Sequence, residues 1–394
     1  MSKYDFDKIV DRRGTSCIKY DFQQERKHRD DLLPLWVADM DFPLPEEILE
    51  DLHKRVDHGI FGYTDPKEDY FEALSGWYRR RQGFEIKAED TFVTPGIVYS
   101  IALAVRACTE EGDSVIIQEP VYYPFRSTIQ QNKRKCVSSN LVFDREKGKY
   151  FIDFEDFEQK IVDNKVKLFI LCSPHNPVGR VWTRQELTRL GDICLKHDVK
   201  IFADEIHSDF VYGDNKHTSF LTLGDKYADI TILGISPSKT FNIAGLQVAN
   251  VISRNKELLD KFKLQNDAAG YSQGGALGMV AAISCYNKGE QWVEELLQYL
   301  QGNISYIRDF LKEKLPKIEL IEPEGTYLIW LDFSKVTGDY RELKRLIEDE
   351  AKLWLDGGVI FGRESALLER INVACPRATL ETAMNRLYEA FKDR

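Results

Sequence analysis

The stretch "KLFILCSPHNPVGRVWTRQELTRLGDICLKHDVKIFADEIH" (167–207) decides the architecture. "KLFILC" (167–172) and "VKIFAD" (199–204) are short apolar runs rich in β-formers, the pattern of buried strands. Between them, Thr183 followed by Glu186 forms a capping box. Leu187, Leu190 and Cys194 then mark one face of a helix over 183–198. Strand, helix, strand in that order predicts a mostly parallel sheet covered by helices, and such sheets bind ligands beyond the carboxyl ends of their strands.

The same pattern extends outward. "DSVIIQ" (113–118), "ITILGI" (230–235) and "VANVIS" (248–253) read as further strands of this sheet. Toward the C-terminus, "TYLIWLDF" (326–333) reads as a strand, 339–354 as a helix and "TLETAMNRLYEAFK" (379–392) as a closing amphipathic helix. This predicts a smaller α+β domain over 286–394, joined by an N-terminal segment 1–45, with a large domain over 46–285. No repeat, low-complexity tract or Gly/Ser linker divides the chain.

Composition narrows the function classes. The 394 residues are 43% hydrophobic and 30% charged, as in ordinary globular proteins. Net charge is −10 and the basic residues are scattered, which argues against nucleic acid or an anionic membrane as partner. The apolar run "IALAV" ends at Arg106, so no membrane span is expected, and the opening residues lack a signal-type apolar region. The seven cysteines include no CxxC, and no two are closer than 22 positions (Cys172 and Cys194). Reduced thiols, no metal site and a cytoplasmic location are the expectation.

Chemistry-bearing residues stand at the ends of the predicted strands. "TPG" (94–96) leads into the helix "IVYSIALAVRAC", whose free N–H groups suit an anion, although alone it reads as a turn. "EPVYYPF" (119–125) offers tyrosine rings that could be core or a stacking surface. "SPHNPVG" (173–179) holds Asn176 between two prolines; Asn-Pro by itself is only a turn signal. "ADEIH" (203–207) places Asp204 where a carboxylate needs a cationic partner, with His207 three residues on. "SPSKTFNIAGLQ" (236–247) then presents Lys239 between small hydroxyl residues. An anion cradle, a stacking ring, an amide donor, a buried carboxylate and a lysine together are what a phosphorylated pyridine aldehyde requires.

On these motifs the chain resembles the fold-type I pyridoxal-phosphate enzymes of the class I/II aminotransferase superfamily. Within them it is similar to the MalY/PatB group of cystathionine β-lyases. The resemblance runs from "LPLWVADMDFPLP" (33–45) and "HGIFGYTD" (58–65) to "RINVACPR" (370–377), with "LCSPHNPVGRVW", "DEIHSDFV" and "SPSKTFNIAGLQ" the most specific stretches. It implies that Lys239 carries the cofactor as a Schiff base and that Asp204 pairs with the ring nitrogen. Tyr122 would stack on the ring, and Asn176 and His207 would lie near its phenolic oxygen. Ile97 and Val98 N–H groups, with Ser236 and Ser238, would take the phosphate. Arg370 would clamp the substrate α-carboxylate, with Ala38 and Asn176 beside it. Tyr63 would reach the neighbouring subunit's cofactor, which makes the site a property of a homodimer.

Gln247 stands where aminotransferases of the superfamily usually carry a phosphate-binding arginine, eight residues beyond the lysine. The lyase group also lacks that arginine, and no second arginine dedicated to a side-chain carboxylate is evident. The implied reaction is therefore α,β-elimination of L-cystathionine or related cysteine S-conjugates to thiol, pyruvate and ammonia, within cysteine and methionine metabolism. An aminotransferase of the same fold is the alternative, and a non-catalytic regulatory protein on this scaffold a more distant one. A Rossmann dehydrogenase would need a glycine-rich fingerprint, which is absent.

Overall fold

A computed structural model describes residues 3–394. A seven-stranded sheet forms its centre: β1 (Thr91–Thr94), β2 (Ser114–Ile117), β3 (Lys135–Ser138), β4 (Val166–Cys172), β5 (Lys200–Asp204), β6 (Thr231–Ile235) and β7 (Ala249–Ile252). Their spatial order is β1-β7-β6-β5-β4-β2-β3. Only β7 is antiparallel to its neighbours, so the other six strands end at one edge. The expected parallel sheet is present, and "VANVIS" is its one reversed member. β1 and β3 were not anticipated from the sequence; "TFVT" and "KCVS" are only partly buried and carry no continuous apolar run, unlike the equally short but fully buried "SVII" of β2.

The helix between β4 and β5 runs Arg184–Lys196, with both halves of the capping box made by Thr183 and Glu186. Leu187, Leu190 and Cys194 are fully buried against the sheet, which is why this stretch could be read from its periodicity. Register aligns Cys172 of β4 with Asp204 of β5, and Asp204 with Gly234 of β6. These strand ends form the floor of the site.

A second sheet follows in the C-terminal part: β8 (Glu319–Ile321), β9 (Leu328–Asp332), β10 (Asp356–Gly357) and β11 (Leu368–Asn372), in the order β8-β9-β11-β10. Here the expected helix over 339–354 is shorter. An α-helical stretch Tyr340–Arg345 passes into a π-turn at Leu346–Glu350, and Leu353–Trp354 is a strand instead. That strand pairs in parallel with Leu33–Pro34, so a backbone partner from the N-terminal segment ends the helix early. The closing helix runs Arg377–Phe391.

Gly234 illustrates how tightly the floor is packed. A Cβ there would stand 2.7 Å from Phe202 Cζ and 3.3 Å from Ile97 Cδ1, and both side chains are buried. Gly234→Ala should destabilise the protein by about 1–3 kcal/mol, the usual cost of overpacking a core. Denaturant unfolding checks this, with an unchanged midpoint as the contrary result.

Candidate active site

The carboxyl ends of β1, β4, β5 and β6 surround a cavity of about 540 Å³, lined among others by Ala38, Ile97, Val98, Tyr122, Asn176, Asp204, His207, Ser238 and Lys239. Nine sequence-predicted residues thus meet in one place although they span two hundred positions of chain. Except Ala38, which comes from a loop of the N-terminal segment, each arrives near the end of a strand or the start of a helix, where the backbone leaves the sheet and its side chains can point into open space.

Asp204 closes β5 and is 4% exposed. One carboxylate oxygen accepts the Ile206 N–H at 3.1 Å. Burial pushes its pKa up to about 7, with the Ile206 N–H and the Lys239 charge opposing that rise. An acid in such a place is matched to a cationic or protonated partner.

Lys239 follows β6 in the short helix Pro237–Thr240. Its Nζ donates to the Ala38 carbonyl at 2.6 Å. Burial lowers the amine to about 8, against the pull of Asp39 and Asp204, so about a tenth of it is neutral at pH 7, far more than for an ordinary lysine. That is the state a nucleophilic amine needs.

His207 is held neutral: burial, then the charges of Lys239 and Arg370, lower it to about 3. Its Nδ1 is buried without a partner, and the ring meets Tyr327 edge-on at 5.9 Å. Asn176 takes the Arg370 Nη1–H on Oδ1 at 3.1 Å. A guanidinium can only donate, so Oδ1 must face Arg370 and the Nδ2 donors are left for the cavity.

Arg370, 2% exposed on β11, also donates from Nη2 to the Trp36 carbonyl at 2.8 Å and to the Asp356 carboxylate. Its Nε is buried and unpartnered. The guanidinium lies over Phe361, 4.8 Å from the ring centroid. Arg370 does not line the cavity itself; it is joined to it through Asn176.

The helix Ile97–Cys108 begins at Gly96 with no side-chain cap, so its first N–H groups open into the cavity. Ser238 lines the cavity there. Ser236 does not: its hydroxyl donates to the Val248 carbonyl at 2.7 Å and accepts the Ser238 N–H at 3.0 Å, bracing the turn. Tyr63 is not in this cavity within one chain. It is 97% exposed, in a surface recess with Phe61, Gly245 and Leu246.

Sequence reasoning missed Tyr327, Asp356 and Cys172. Tyr327 OH donates to the Ala38 carbonyl at 2.9 Å, beside Lys239. Its place directly before β9 was visible, but not the contact with a segment almost three hundred residues away. Cys172 lines the cavity at the end of β4, where its cysteine reads as core filler.

The residues present fit a phosphorylated pyridine aldehyde. The uncapped helix start suits the phosphate, the buried acid a ring nitrogen, the orphaned His207 Nδ1 and the Asn176 amide an oxygen substituent, and the depressed lysine the aldehyde. No group of acids, cysteines and histidines among the described residues could hold a metal ion.

Comparison with known proteins agrees. The family model "Aminotransferase class I and II" matches residues 30–387. Cystathionine beta-lyase PatB of Bacillus subtilis is 41% identical over 98% of this chain and 99% of its own length. Protein MalY of Escherichia coli is 33% identical over 99% of both. The pyridoxal-phosphate-bound C–S lyase of Staphylococcus hominis, with the inhibitor L-cycloserine, superposes with a TM-score of 0.91 at 33% identity, covering 98% of each chain.

The raised pKa of Asp204 has a measurable consequence for the cofactor-free protein. The folded-state value is about 7, against about 4 for an unfolded chain. Between these values the folded state holds the extra proton, so stability falls as pH rises through the window and the loss is complete above it. Cofactor-free Asp204→Asn should therefore melt above its parent at pH 8, with the gap closing toward pH 4. A pH-independent gap would contradict the assignment.

Proposed function

The chain belongs to the aminotransferase class I and II family, and from that premise we propose that it is a pyridoxal-phosphate-dependent C–S β-lyase acting on L-cystathionine or related cysteine S-conjugates. The observation that carries the reading is the likeness along nearly the whole chain to a cystathionine β-lyase; Lys239 and Asp204 on one cavity, with Arg370 joined to it through Asn176, support it. Gln247 at the cavity wall, where many aminotransferases have a cation, supports elimination over amino transfer.

Lys239 would hold the cofactor through Nζ, Asp204 would face its ring nitrogen, and the Ile97 and Val98 N–H groups with Ser238 would hold its phosphate. When bound, the cofactor supplies a sink for the electron pair left by removal of the substrate α-proton.

Arg370 offers the unpartnered Nε–H to the substrate α-carboxylate, and its other nitrogens are fixed by Asn176, Trp36 and Asp356. This is preorganisation: the guanidinium loses little freedom when the carboxylate arrives. Lys239 Nζ takes the proton from the substrate α-carbon, a role its lowered pKa suits. The Ala38 carbonyl, held from the other side by Tyr327 OH, gives that amine a fixed acceptor. Sulfur leaves the β-carbon with the bonding pair and is protonated as the thiol. Water then completes the release of pyruvate and ammonia.

The active form is a homodimer in which Tyr63 of one copy completes the site of the other. Its support is the 97% exposure of Tyr63 next to Ile60 and Phe61, both more than half exposed. A cytoplasmic location accords with the seven free cysteines. No helix among the described residues is long and apolar enough to cross a membrane.

Purified protein with pyridoxal phosphate should release pyruvate and a free thiol from L-cystathionine, and transaminate aspartate or aromatic amino acids far more slowly. Fast keto-acid-dependent amino transfer without thiol release would favour the aminotransferase instead. Mixing inactive Tyr63→Phe with inactive Lys239→Ala subunits should restore part of the activity, because a hybrid dimer contains one intact site. Hybrids that form and stay inactive would refute the shared site.

A further inference from the structure

Among the described residues the Ala38 carbonyl is the one hydrogen-bond acceptor that Lys239 Nζ meets. That oxygen is shared. Lys239 Nζ donates to it at 2.6 Å and Tyr327 Oη at 2.9 Å. A backbone carbonyl has two lone pairs, so these two donors fill it. Its position is fixed as well, because Asn372 Nδ2 donates to the carbonyls on either side, those of Val37 and Asp39.

Tyr327 is set in this place as a donor. It is fully buried directly before β9, edge-on to Phe210 at 4.8 Å and to His207 at 5.9 Å. Burial holds its phenol protonated, well above the ordinary range, and the charge of Asp39 acts in the same direction. No hydrogen bond joins its oxygen to Lys239, so the hydroxyl acts on the amine through the Ala38 oxygen. Tyr327 does not line the cavity.

The number of acceptors decides which form of the amine the arrangement favours. An ammonium has three N–H groups, and with Ala38 taking one, two are left without an acceptor on the protein. The neutral amine leaves one such group and carries no charge, so it loses less on burial. With the second lone pair of Ala38 open, the oxygen would take another ammonium N–H, and the charged form would recover part of its loss. The charged groups around the amine are divided: Asp39 and Asp204 favour the ammonium, whereas Arg370 opposes it together with burial. His207 adds no charge. We propose that Tyr327 raises the neutral, reactive fraction of Lys239 by occupying the second lone pair of the Ala38 carbonyl. It is a positioning residue, and its role rests on the reading of Lys239 as the reactive amine of a lyase.

Tyr327→Phe removes the hydroxyl and keeps the ring contacts. Reductive methylation of Lys239 by formaldehyde and cyanoborohydride, quantified by peptide mass spectrometry on the cofactor-free protein, follows the neutral amine across pH. The parent should show a midpoint at about 8. In Tyr327→Phe the midpoint should rise by about half to one pH unit, the equivalent of one hydrogen bond, and labelling at pH 7 should slow about three- to tenfold. Labelling well above the midpoint should keep the parent rate. An unchanged or lowered midpoint overturns the proposal, and so does faster labelling above it, the mark of a loosened and wetter cavity. On the holoenzyme, the acid limb of kcat for pyruvate release from L-cystathionine should shift upward in the same way, with KM little changed. A limb that stays in place also overturns the proposal. A protein that releases no pyruvate from any conjugate would refute the lyase reading, while the labelling midpoint would still decide the role of Tyr327.

Discussion

Placing the Asp204 carboxylate at the end of β5, out of reach of water, is the constraint around which the rest is arranged. An unpaired acid there is costly, and its pKa rises to about 7 in response. The cost is accepted because the position faces Lys239 across one cavity, and each group opposes the other's departure from its charged form. The six co-directed strands make this possible by ending at one edge, so that residues distant in sequence meet without any long loop entering the core.

The N-terminal segment closes the arrangement. Residues 36–40 present a run of carbonyls to the site: Trp36 to Arg370, Val37 and Asp39 to Asn372, Ala38 to Lys239 and Tyr327, and Met40 to Asn242. A charged cluster on the outer side holds the run in place. Arg12 donates to Asp39 at 3.0 Å and Asp41 at 2.8 Å, and the buried Lys19 donates to Asp41 at 2.7 Å. Removing one member would strand a buried charge, so such clusters fix geometry more than they add stability. Asp39 also acts on the chemistry directly, since its charge supports protonation of the Lys239 amine.

The turn that carries Lys239 is braced in the same manner. Thr240, the next residue, donates to Asp209 at 2.7 Å, and Asp209 also accepts from Trp77 and Arg81. A reactive amine placed on a turn is only as well positioned as the groups behind it, and here these are Asp209 and, behind it, Trp77 and Arg81 of the helix Glu68–Gln82.

By itself the sequence determined five of the seven strands of the central sheet, β2, β4, β5, β6 and β7, the helix between β4 and β5, and the identity of the residues at the strand ends. These depend on local periodicity, capping and turn chemistry, which neighbouring residues carry. The early end of the 339–354 helix escaped because a strand partner at Leu33–Pro34, over three hundred residues away, overrides local preference. The contact of Tyr327 with Ala38, 289 residues away, escaped for the same reason; the pairing of Asp356 with Arg370, only 14 residues apart, depends on the two strands β10 and β11 meeting side by side. Only the tertiary structure decided that Ser236 braces its turn while Ser238 lines the cavity, because two hydroxyls two positions apart look alike until their partners are fixed in space.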